Sequence, residues 1–127
     1  MENKELEKIL IADDCFELME SLKQVIFRKY EVVFASNAKE EIEKAKENKY
    51  LMILTDNNME DGHENSGLYA IEQIRKYDGV TPIYLHSGGL TDEIETEALR
   101  LGANGVFDKA NDFQEITKIF IELKGGK

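Results

Sequence analysis

Five short apolar runs, each giving way to polar residues and then to a helical stripe, constrain this chain more than any other feature. They are Lys8-Ile9-Leu10-Ile11-Ala12, Glu31-Val32-Val33-Phe34-Ala35, Leu51-Met52-Ile53-Leu54-Thr55, Ile83-Tyr84-Leu85-His86 and Gly105-Val106-Phe107-Asp108. Runs of this length bounded by turn formers read as strands, and the continuously apolar ones as strands buried on both faces. Helical periodicity fills the intervals. Leu18, Leu22, Val25 and Ile26 form one stripe behind Asp14, which is placed to cap the first helix. Ala38, Ile42 and Ala45 follow a cap at Ser36 or Asn37. Leu68, Ile71 and Ile74 mark a third helix reaching about Tyr77, before Asp78-Gly79. Ile94, Ala98 and Leu101 mark a fourth, stopped by Gly102. Phe113, Ile116, Phe120 and Leu123, capped by Asn111 or Asp112, mark a fifth.

Strict strand–helix alternation with short connections requires right-handed crossovers and a parallel sheet covered on both faces. The expected architecture is therefore α/β, a doubly wound five-stranded parallel sheet. With 127 residues, and no linker, repeat or low-complexity tract, the chain reads as a single domain over residues 1–127 without an output domain. No apolar stretch approaches the roughly 20 residues of a membrane span. The opening Met1-Glu2-Asn3-Lys4-Glu5 lacks the character of a signal peptide. A single cysteine, Cys15, cannot form an intrachain disulfide, so a cytoplasmic setting is expected. The net charge of −10 opposes nucleic acid and anionic membranes as partners and favours a folded protein or a cation.

In such a sheet, chemistry collects at the carboxyl ends of the strands. Four of the five runs end there in reactive groups: Asp13 and Asp14, Asp56, Ser87 and Lys109. Each has a plain reading when taken singly. An acid pair favours a helix N-terminus, Asp56 suits a turn, Ser87 suits a glycine-flanked loop, and a lysine is usually solvated. Taken together, three carboxylates held close repel one another unless a cation joins them. Mg²⁺ suits their hard oxygens and keeps waters for an incoming phosphate. An ammonium and a hydroxyl opposite suit the oxygens of a transferring phosphoryl group. The residues thus suggest an aspartate that accepts a phosphoryl group.

The set resembles the receiver domain of two-component response regulators, from about Lys8 to Leu123. The resemblance rests on Asp13-Asp14, on Asp56 followed by Asn58 and Met59, on Ser87, and on Lys109 after Gly102-Ala103-Asn104-Gly105. It implies a flavodoxin-like (βα)5 fold with Asp56 as phosphoacceptor. It also implies Mg²⁺ held by Asp14, Asp56 and the main-chain carbonyl of Asn58, with Asp13 acting mainly through a metal-bound water. Ser87 would hydrogen-bond the phosphoryl group and Lys109 would pair with it. The implied partners are a sensor histidine kinase or histidine phosphotransfer protein and a downstream protein target. As a stand-alone receiver the chain would switch an interaction surface or relay the phosphoryl group, with no enzymatic role beyond self-catalysed phosphotransfer and autodephosphorylation.

Three departures from the family pattern stand out. Ala110 follows Lys109 where a proline behind a cis bond is usual, and a cis bond before alanine costs about 3 kcal/mol. That points to a differently built Lys109 loop. The segment from Met59 to Gly67 is about three residues longer than usual, with Glu60 where a proline is customary. Val106 stands at the position of the family's switch aromatic, with Phe107 one place along and expected on the opposite strand face.

A calcium-loop reading of the same residues fails, while a hydrolase and a docking-only receiver stay open as alternatives. From Asp56, the sixth and twelfth places of a calcium-binding EF-hand loop would fall on Asp61 and Gly67, where glycine and glutamate are required. The alternative of a haloacid-type Mg²⁺-dependent hydrolase usually needs a second aspartate two residues after the first, and Asn58 holds that place. The intact acids, Ser87 and Lys109 argue against a degenerate receiver that only docks partners. His63 reads as a solvated loop residue, His86 as a strand residue and Cys15 as structural or incidental.

Overall fold

A computed structural model of the chain describes residues 7–25, 28–109, 117, 118 and 121. Its strands are β1 (Lys8–Ala12), β2 (Glu31–Ala35), β3 (Met52–Asp56), β4 (Ile83–Ser87) and β5 (Gly105–Asp108). Its helices are α1 (Phe16–Val25), α2 (Ala38–Glu47), α3 (Ser66–Arg75) and α4 (Asp92–Leu101). All strand pairings are parallel, in the order β2-β1-β3-β4-β5. The expected α/β sheet is therefore present, with four helices among the described residues. The stripe residues assigned to a fifth helix, Phe113, Ile116, Phe120 and Leu123, and its caps Asn111 and Asp112 lie outside them, as does the Lys109–Ala110 bond.

Period-two alternation splits the core between the two faces of the sheet. Leu10, Ile53 and Leu85 pack with Ala38, Ala45, Ile71, Ile74 and Ala98 of α2, α3 and α4. Ile9, Ile11, Met52 and Leu54 pack on the other face with Met19 and Leu22 of α1. Ile9, Leu10, Met52, Ile53, Ile83 and Leu85 are all essentially inaccessible. Each such side chain contributes roughly 1.5–3 kcal/mol of transfer free energy, which anchors the central strands.

Helix boundaries follow their caps. Asn37 caps α2 by accepting from the Glu40 N–H at 2.8 Å, and Thr91 caps α4 by accepting from the Ile94 N–H at 3.2 Å. Gly102 closes α4 at φ +114°, where a Cβ would also strike Arg75. The expected cap at Asp14 is corrected. The Met19 N–H bonds to the Cys15 carbonyl and α1 opens at Phe16, so Cys15 holds the boundary. The acid next door takes a different task, because the Cys15 N–H donates to Asp13 Oδ1 at 2.9 Å.

The strand order makes the site. Connections run to opposite sides of the sheet at β1 and β3, which are adjacent. The crevice beyond their carboxyl ends is the topological switch point where doubly wound sheets bind ligands. Asp13 follows β1 there and Asp56 ends β3.

Candidate functional site: an acid cluster at the sheet's carboxyl edge

Asp13, Asp14 and Asp56 each present a carboxylate oxygen within 4.8 Å of the others. Asp13 and Asp56 are buried, at 1% and 4% exposure, while Asp14 is open to solvent. Lys109, just past β5, places its Nζ 3.1 Å from Asp13 Oδ2 and 3.1 Å from Asp56 Oδ1. One ammonium therefore bridges the two buried acids. Burial pushes the Asp56 carboxyl up to about 6, with Asp13 adding to the rise and Lys109 opposing it. Burial alone would lower Lys109, but Asp13 and Asp56 outweigh it and raise the ammonium above its ordinary value.

Ser87 ends β4 and is buried, its Oγ accepting from the Gly89 N–H at 3.4 Å. It lines a cavity of about 250 Å³ together with Asn57 and Asn58, the residues that follow Asp56. The structure thus gathers Asp13, Asp14, Asp56 and Lys109 directly, with Asn58 and Ser87 at the adjoining cavity. The three carboxylates form a hard-oxygen set suited to Mg²⁺. Two buried carboxylates and an exposed third, with one ammonium against them among the described residues, leave negative charge for such a cation to offset.

Val106 and Phe107 face opposite ways, as the alternation requires. Val106 packs, half-buried, against the cluster under α2, α3 and α4. Phe107 is buried on the α1 side with its ring 5.4 Å from that of Tyr84. His86 is a buried strand residue and Cys15 an exposed free thiol. His63 is exposed, with its ring stacked 4.1 Å from that of Tyr69.

Three residues that matter here escape sequence reading. Glu41 is wholly buried in α2 and accepts from Thr55 Oγ1 at 2.8 Å, one residue before Asp56. Burial pushes its carboxyl up to about 8; the Thr55 hydroxyl opposes the rise, and Asp61 and Asp56 add to it. Its spacing from Ala38 and Ala45, three and four residues, was the available signal. It places Glu41 at the centre of the stripe, with Ile42 at its edge. Asp61 organises the long loop by accepting from the Ala38 N–H at 2.8 Å, Ser66 Oγ at 2.7 Å and the His63 N–H at 3.2 Å. Although burial opposes it, those bonds hold its carboxyl below the ordinary range. Gly67 lets α3 approach β3, since a Cβ there would lie 2.7 Å from the Asp56 carbonyl oxygen.

Comparison with known proteins agrees with this arrangement. The family model described as the response regulator receiver domain matches residues 9–121. The chain belongs to the response regulator receiver domain family. No curated protein sequence matches it. Its fold is similar to the receiver domain of a Francisella response regulator, at 24% identity and TM-score 0.80, over 95% of this chain and 99% of that one. A LuxR-family two-component response regulator from Aurantimonas sp. SI85-9A1 is 25% identical with TM-score 0.82, over 94% and 86%. A Burkholderia pseudomallei response regulator, described with a phosphorylated aspartic acid, a calcium ion and citrate, is 22% identical with TM-score 0.77. That likeness covers 87% of this chain and 64% of the other.

Proposed function

We propose that the chain works as a receiver in which Asp56 takes a phosphoryl group from a histidine kinase or histidine phosphotransfer protein in the cytoplasm. The observation that carries this reading is the Lys109 ammonium lying 3.1 Å from both Asp13 and Asp56 at the switch point of the sheet. In the transfer, an Asp56 carboxylate oxygen bonds to phosphorus as the donor's phosphorus–nitrogen bond breaks. The electron pair leaves with the imidazole nitrogen. The product is an acyl phosphate, which adds about two negative charges at the site.

Asp13, Asp14 and Asp56, with the Asn58 carbonyl, would hold Mg²⁺, Asp13 largely through a metal-bound water. The cation supplies positive charge to the phosphoryl oxygens as they shift between donor and acceptor. Asp13 keeps one carboxylate oxygen engaged with the Cys15 N–H, which fixes its orientation. Ser87 donates its hydroxyl to a phosphoryl oxygen, and Lys109 exchanges its Asp56 contact for the new phosphoryl charge. This exchange would start the switch, because Lys109 sits at the end of β5 and Ser87 at the end of β4. The partner surface then includes the segment from Ser87 to Thr91, with Val106 too short and too stiff at χ1 to swing as an aromatic would.

The Burkholderia neighbour's phosphorylated aspartate and bound divalent ion support this reading on the same fold. Incubation with acetyl phosphate and Mg²⁺, followed by intact-mass measurement, tests it. The expected result is a labile gain of one phosphoryl group that Asp56→Asn abolishes. Steady turnover of phosphate esters would overturn it in favour of a hydrolase.

A further inference from the structure

The long loop between Met59 and Gly67 is built rather than loose. Asn65 adopts a left-handed conformation, φ +62°, and its Oδ1 accepts from Asn57 Nδ2 at 2.9 Å. Asn57 Oδ1 in turn accepts from the Leu68 N–H at 3.2 Å. The residue next to Asp56 therefore clasps the loop on one side and the start of α3 on the other. On the far side, His63 stacks on Tyr69 and its N–H donates to Asp61. Glu64 lies between these two anchored neighbours, so its backbone is held although its side chain is exposed. That anchoring places Glu64 on the wall of the cavity beside Asp56, with Asn57, Asn58, Asn65, Ser87 and Gly89. Among the described residues lining it, Glu64 alone carries a charge.

Resting on the receiver reading above, we infer that this cavity is where the phosphoryl donor enters and that Glu64 selects the donor by charge. The wall offers amides and a hydroxyl, which any phosphoryl group can use. A carboxylate discriminates among leaving groups. A phosphoryl group carried on a protonated imidazole brings a cationic ring, which leaves as neutral imidazole when the phosphorus–nitrogen bond breaks. Acetyl phosphate brings only negative charge and releases acetate when its phosphorus–oxygen bond breaks. Glu64 attracts the first and repels the second. The extension thus tunes the site toward phosphohistidine proteins and away from small acyl phosphates.

Across a solvent-exposed gap of several ångströms, one charge changes such rates by about two- to fivefold at low ionic strength. The test compares wild type with Glu64→Gln, using monophosphoimidazole and acetyl phosphate as donors with Mg²⁺ and following phosphorylation by intact mass. The ratio of the imidazole rate to the acetyl rate should fall about two- to fivefold in the variant at low salt, and the difference should shrink at high salt. A ratio unchanged by Glu64→Gln, in a wild-type chain that both donors phosphorylate, overturns the inference and leaves the receiver reading standing. A wild type that accepts a phosphoryl group from neither donor overturns the receiver reading and this inference with it. Because Glu64 is exposed, the variant should fold as wild type does, which a thermal melt verifies.

Discussion

Glu41 and Thr55 share a buried hydrogen bond of 2.8 Å one residue before Asp56, at the end of β3. The second oxygen of Glu41 is buried without a hydrogen-bond partner among the described residues. Such a carboxyl is stable in the fold only when it carries its proton.

Stability should therefore fall with rising pH. The folded-state value of Glu41 lies near 8, above its ordinary 4.5. A raised acid contributes fully below the unfolded value and loses that contribution as pH climbs through the folded one. Between about pH 4.5 and 8 the loss should amount to a few kcal/mol. Glu41→Gln keeps a polar group of the same shape without the charge. It should flatten urea-derived stability across that window, and an unchanged slope would exclude Glu41 as its source.

Asp56→Asn should stabilise the metal-free protein near neutral pH. The folded carboxyl lies near 6 against an ordinary 3.8, so its ionised form is disfavoured despite Lys109. The same sign rule applies, and removal of the charge should add on the order of 1–3 kcal/mol at pH 7. Mg²⁺ should raise the melting temperature of wild type more than that of the variant, because one ligand is lost. Equal shifts in both would exclude Asp56 from the metal site.

Gly67→Ala should destabilise the fold although alanine favours helix. The added Cβ would lie 2.7 Å from both the Asp56 carbonyl oxygen and Leu85 Cδ1, and 3.0 Å from Asn57 Cα. Two of those atoms are main chain and cannot step aside. Overpacking of this kind costs about 1–3 kcal/mol, against about 1 kcal/mol gained in helix propensity. A drop of several degrees in melting temperature is expected, with slower phosphorylation as the Asp56 backbone shifts. A variant as stable as wild type would show that α3 can move off the sheet freely.

Ser87→Ala and Lys109→Ala should separate two roles. Loss of the hydroxyl removes one hydrogen bond, so phosphorylation slows and survives. Loss of the ammonium leaves Asp13 and Asp56 facing each other, so the metal-free protein should be less stable and Mg²⁺ should raise its melting temperature by more than in wild type. In Lys109→Ala, phosphorylation should no longer alter amide exchange along residues 87–94. Unaltered exchange changes there would remove Lys109 from the switch.

The alternation of apolar runs and helical stripes determined by itself which residues stand at strand ends. Asp13, Asp56, Ser87 and Lys109 could be picked out for that reason, since the ends of short runs are local features. Alternation also determined that Val106 and Phe107 face opposite layers, because the strand period is two. Tertiary structure alone decided which strand ends meet. The order β2-β1-β3-β4-β5 sets Asp13 beside Asp56, and only the folded sheet brings Lys109 within 3.1 Å of both. Glu41 was hidden because a glutamate among lysines and glutamates reads as helix surface until Thr55 is seen opposite it. Asp61, Asn65 and Asn57 look like interchangeable polar loop residues for the same reason. Their bonds reach across 23, 8 and 11 positions of the chain, and no local pattern encodes which donor a carboxylate or amide will meet at that range.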